Sequence, residues 1–70
     1  MNKYSRSQLE NLIREWVIGV NSERNKEIIT DRLIYGMPIP KIADKYDLSE
    51  TRVKTVIRTF KRTIESHVEL

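Results

Sequence analysis

Ile39-Pro40-Lys41-Ile42-Ala43-Asp44-Lys45-Tyr46-Asp47-Leu48-Ser49-Glu50-Thr51-Arg52-Val53-Lys54-Thr55-Val56 is the stretch on which the fold turns. Proline is tolerated in the first turn of a helix, where its missing N–H has no partner to lose. Pro38 and Pro40 therefore place the start of a short helix near Ile39, with Ile42, Ala43 and Tyr46 inward. Asp47-Leu48-Ser49 breaks it. Ser49 then caps a longer helix, Glu50 to about Ser66, whose Val53, Val56, Ile57, Phe60 and Ile64 form one apolar stripe.

The spacing inside this stretch has a steric meaning. Two helices joined by a tight turn cross closely, so the first must offer a small side chain at the crossing, and Ala43 does. The turn needs an apolar residue tucked inward, which Leu48 supplies, and Val53 and Val56 anchor the second helix. Ile42-Ala43, Tyr46, Leu48, Val53 and Val56 thus read as a helix-turn-helix. Asp47 holds the turn position where a positive φ favours glycine, and aspartate is one of the few side chains that tolerates that conformation.

Upstream, Ser7-Gln8-Leu9-Glu10 has capping-box spacing. Leu9, Leu12, Ile13, Trp16, Val17 and Val20 recur at steps of three and four, predicting an amphipathic helix that ends near residue 20. A second helix starts between Ser22 and Asn25, carries Ile28, Ile29, Arg32 and Leu33, and stops at Gly36. With no strand-like alternation, the fold class is all-α: a small four-helix domain. The organisation expected is one domain over 1–70, with an N-terminal amphipathic helix in 1–23 and the helix-turn-helix unit in 24–66.

Seventy residues without cysteine exclude a disulfide framework and a Cys-based zinc site. A chain of this size buries only about 60% of the surface its unfolded form exposes, so it builds one small core. Its longest apolar run, Trp16 to Val20, is far short of the roughly 20 residues a bilayer needs. The N-terminus lacks the apolar stretch of a signal peptide, so a cytoplasmic location without membrane contact is expected. No nucleophile–base pair and no phosphate-cradling glycine loop is present, so neither an enzyme nor a cofactor is expected. Trp16 reads as core, His67 as an incidental surface residue, and Tyr4 and Tyr35 carry no evident chemistry.

Charge is concentrated in one segment. Residues 49–62 hold Arg52, Lys54, Arg58, Lys61 and Arg62 against Glu50 alone, a net +4 that exceeds the +3 of the whole chain. A single-sign cluster on a small domain points to a polyanionic partner.

From Arg24 to Ile64 the chain resembles region 4 of the sigma-70 family, the domain that reads the −35 promoter element. The resemblance lies in a helix ending in Tyr35-Gly36, then Ile39-Pro40-Lys41-Ile42-Ala43-Asp44-Lys45-Tyr46-Asp47-Leu48-Ser49, then Arg52-Val53. The chain has no room for the sigma domain that binds core polymerase and melts the −10 element. Small phage or mobile-element transcription regulators are the type the resemblance implies.

With the apolar stripe inward, Thr51, Thr55, Arg58 and Arg62 lie roughly opposite and Lys54 on the flank. The N-terminal part of a recognition helix meets base edges in the major groove. Thr51, Lys54 and Thr55 are therefore expected to contact bases, with Glu50 accepting from cytosine and Arg58 reaching a base or a phosphate. The resemblance assigns base or backbone contacts to these same positions. Arg52, Lys61 and Arg62 are the phosphate candidates, joined by Ser49 and Lys41 where the turn meets the strand. The expected function is sequence-specific binding of double-stranded DNA in transcriptional regulation. The alternative is a protein-interaction module that binds RNA polymerase or another factor. The apolar stripe of the first helix and the extension past Phe60 serve either as the seam of a homodimer or as packing within one chain.

Overall fold

The computed structural model describes residues 4–67; residues 1–3, 68–70 and the side chain of His67 lie outside the description. Four helices form: α1 (Arg6–Trp16), α2 (Ser22–Leu33), α3 (Ile39–Tyr46) and α4 (Glu50–His67). The described residues contain no strand, so the all-α, four-helix expectation is met.

Two boundaries of α1 differ from the sequence reading. Its cap is Ser5, not Ser7. The Ser5 hydroxyl accepts from the Gln8 backbone N–H at 3.2 Å, and the Ser5 N–H donates to Gln8 Oε1 at 2.8 Å. Ser5-x-x-Gln8 is itself a capping box, and it starts the helix two residues earlier. The helix also ends at Trp16 rather than near residue 20. Val17 turns extended, and Gly19 (φ 93°) and Asn21 (φ 63°) are left-handed, so the chain reverses within five residues into α2. Val17 still enters the core, whereas Val20 leaves it and is 87% exposed.

The core has two clusters arranged along α4. Ile28, Ile42, Ala43, Val53 and Ile57 join α2, α3 and the N-terminal half of α4. Ile13, Val17, Ile29, Phe60 and Ile64 join α1, α2 and its C-terminal half. Adjacent residues of α2, Ile28 and Ile29, feed one cluster each, and Val56 packs against both. Each fully buried isoleucine or valine contributes about 1.5–3 kcal/mol of hydrophobic stabilisation. Leu9, Ile13 and Val17 of the N-terminal stripe and Phe60 and Ile64 of the extension are buried inside the chain, whereas Leu12 and Trp16 are half-buried. Among large apolar residues only Ile18, Val20 and Tyr35 stand exposed in the described part.

The α3–α4 link forms as its side chains demand. Asp47 takes φ 57°, ψ 48°. The Leu48 N–H reaches back to Ala43 O at 2.9 Å and the Asp47 N–H to Asp44 O at 3.3 Å, the paired bonds of a Schellman ending. Leu48 folds against the first cluster. Ser49 Oγ then accepts from the Arg52 N–H at 3.0 Å, capping α4.

Candidate nucleic-acid interface

Burying Val53, Ile57, Phe60 and Ile64 orients the rest of α4 outward. Glu50, Thr51, Arg52, Lys54, Thr55, Arg58 and Arg62 are all exposed, as are Lys41 on α3 and Ser49 at the cap, while Lys61 is half-buried. From Thr51 to Ile64 this face carries no carboxylate. None of its five cations forms an ion pair among the described residues. Lys54–Arg58 and Arg58–Arg62 are like-charge pairs at i,i+4, each destabilising an exposed helix by about 0.2–0.5 kcal/mol.

The sequence-derived contact set is divided between two flanks of α4. On one flank Lys54, Arg58 and Lys61 line a groove of about 330 Å³ with Ile57, facing Arg32 of α2 and Ile39 of α3. On the other, Arg52 and Thr55 line a pocket of about 240 Å³ with Thr59 and Thr63, facing Trp16, Val17 and Ile18. Helical geometry accounts for the split, since Lys54 and Thr55 lie ~100° apart around the axis. The Thr55 hydroxyl donates to Thr51 O at 2.9 Å, so in the free protein it offers lone pairs rather than its proton outward. Ser49 Oγ accepts from a backbone N–H and keeps its own proton for an incoming acceptor.

Lys45, the other cation of α3, is engaged internally. Its Nζ lies 2.9 Å from Asp31 Oδ2, which also accepts from the Tyr46 hydroxyl at 2.7 Å. Asp31 is the one buried charged residue described, and it ties α2 to α3. The hydrogen bond to Asp31 pushes the Lys45 ammonium above its ordinary value, and burial, followed by the Asp31 bond, pushes the Tyr46 phenol up. Lys41 is left as the exposed cation of α3 without an ion partner.

Arg32 is placed on the second helix by the sequence but not among the DNA-contact candidates. It lies in a segment whose charges cancel, and only the packing of α2 beside α4 brings it to the groove. Its Nη1 donates to Met37 O at 3.1 Å, which holds the side chain in place. Among the described residues no group of three or more His, Cys, Asp or Glu side chains converges to hold a metal, and no helix is long and apolar enough to cross a membrane.

No protein-family model, curated protein or solved structure matches the chain. The chemistry of this surface therefore carries the functional reading.

Proposed function

We propose that the chain is a sequence-specific double-stranded DNA-binding module of the helix-turn-helix type, acting in transcriptional regulation. In this reading α3, the Asp47–Ser49 turn and α4 form the motif, and α4 enters the major groove. The observation that carries it is the outward face of α4: five cations with no carboxylate from Thr51 to Ile64 and no ion pair among the described residues. The helix would be more stable with mixed charges there, so a partner that supplies the negative charge is the physical reason for the pattern. Glu50, Thr51, Lys54, Thr55 and Arg58 are the candidates for base edges. Lys41, Ser49, Arg52, Lys61 and Arg62 are the candidates for phosphates. The likeness of Arg24–Ile64 to sigma region 4 supports the same role, and no catalytic step or cofactor belongs to it.

The test is a salt titration on random duplex DNA, followed by selection from a random pool at the highest salt that still permits binding. A steep loss of affinity with salt and an enriched motif are expected. A flat response, or binding without a motif, overturns the reading. One observation favours a second role: Ile18 and Val20, 80% and 87% exposed, lie in the α1–α2 link, and Ile18 lines the Trp16 pocket. Such a surface suits a protein partner, RNA polymerase or a second copy of the chain. Co-purification with polymerase from nuclease-treated extract, lost in Ile18→Ser/Val20→Ser, would favour the first partner; a concentration-dependent dimer in ultracentrifugation would favour the second.

A further inference from the structure

The groove between α2 and α4 brings four cations from distant parts of the sequence around an apolar floor. Arg32 comes from the last turn of α2, and Lys54, Arg58 and Lys61 from successive turns of α4, over Ile39 and Ile57. No carboxylate lines it, and none of the four is ion-paired among the described residues. Arg32 is fixed by its Nη1 bond to Met37 O, which leaves its other guanidinium N–H groups unspent. A held guanidinium beside flexible ammonium groups is suited to a tetrahedral oxyanion, which arginine binds through two parallel hydrogen bonds. The groove also lies on the flank of α4, away from the centre of its outward face, where Thr51 and Arg62 stand.

We propose that this groove seats the phosphodiester backbone of one DNA strand, with Arg32 as its fixed anchor and Lys54 as a phosphate contact rather than a base reader. The inference rests on the DNA-binding reading and adds a residue from α2 to it. Base discrimination then falls to Thr51 and Thr55 at the centre and opposite edge of the face, with Arg58 between them and the groove.

Arg32→Gln, Arg32→Lys and Lys54→Gln are compared with the unmodified chain by fluorescence anisotropy on a selected duplex and on a random one, each across a salt series. Losing one phosphate contact on B-DNA lowers the magnitude of the log–log salt slope by about 0.9, or about eightfold in affinity at 0.1 M salt. Arg32→Gln and Lys54→Gln are each expected to show that loss equally on both duplexes, and Arg32→Lys to recover most of the slope. A wild-type slope in Arg32→Gln, with the unmodified chain binding steeply, overturns the groove and leaves the DNA-binding reading intact. Loss confined to the selected duplex overturns it as well, by making these residues base readers. Failure of the unmodified chain to bind duplex DNA overturns both. The Lys54 side chain makes no hydrogen bond or ion pair among the described residues, so Lys54→Gln carries the test if Arg32→Gln melts early.

Discussion

The two ends of this molecule handle charge in opposite ways. On α1 and α2, two of the five cations sit beside carboxylates of the same helix: Arg6 lies 3.8 Å from Glu10, and Lys26 lies 3.6 Å from Glu23. Arg6 also donates to the Tyr35 hydroxyl at 3.1 Å and lies 5.2 Å from the centre of its ring. On α4, cations follow one another at i,i+4 with no carboxylate between them. Exposed helix pairs are worth only a few tenths of a kcal/mol in either direction, so neither pattern decides the fold. The lesson is that the α4 pattern is tolerated by a core that needs only its inner stripe. That leaves the outer face available for a charged partner.

The sharpest way to break this comparison is to weaken each core cluster separately. Ile42→Ala and Ile13→Ala are each expected to cost about 2–5 kcal/mol, because both side chains are almost completely buried. Since α4 runs through both clusters, far-UV circular dichroism and fluorescence of Trp16, the single tryptophan, should report one coincident transition for either variant. Two separate transitions would show that the ends are independent units.

Asp31→Ala should cost about 1–3 kcal/mol by leaving the Tyr46 hydroxyl without its acceptor. The pH dependence has a definite sign. Both Lys45 and Tyr46 hold their protons more tightly in the fold, so their contribution is complete below their ordinary values of 10.5 and 10.0 and is lost as pH rises past them. Chemical denaturation across the alkaline range should therefore show stability falling above pH 10, and falling less steeply in Asp31→Ala. An equally steep fall in that variant would remove Asp31 from the account.

Asp47→Gly should raise stability by about 0.5–1 kcal/mol, because Asp47 sits at φ 57° where glycine carries no Cβ penalty. A drop in melting temperature would mean that the aspartate side chain makes a contact the turn requires. The smallest stability effect tests the charge contrast itself. Arg58→Gln removes two i,i+4 repulsions and should stabilise the chain by about 0.5 kcal/mol while weakening duplex binding. If stability rises and binding is unchanged, the cationic face has no role in DNA contact.

Legibility followed the locality of the forces. In the stretch from Ile39 to Ile64, proline position, the small Ala43, the αL-tolerant Asp47 and the Ser49 cap all act within a few residues, and each is found doing what its chemistry requires. The start of α1 was misplaced because two hydroxyl caps compete, Ser5 and Ser7, and local spacing does not rank them. Its end was misplaced because Val20 continues the apolar period in sequence while Gly19 and Asn21 reverse the chain. Periodicity alone does not show that α2 must return beside α1 and α4.

For the candidate interface, the sequence by itself determined which residues of α4 face outward, because the 3.6-residue period and the apolar stripe leave no other arrangement. It also determined that positive charge gathers on that helix. Only the tertiary structure decided that Leu9, Ile13 and Val17 are buried inside the chain, that Asp31 pairs with Lys45, and that Arg32 joins Lys54, Arg58 and Lys61 in one groove. Each of these is a contact between residues distant in sequence. Such contacts are set by how helices pack against a shared core, and no local propensity encodes that.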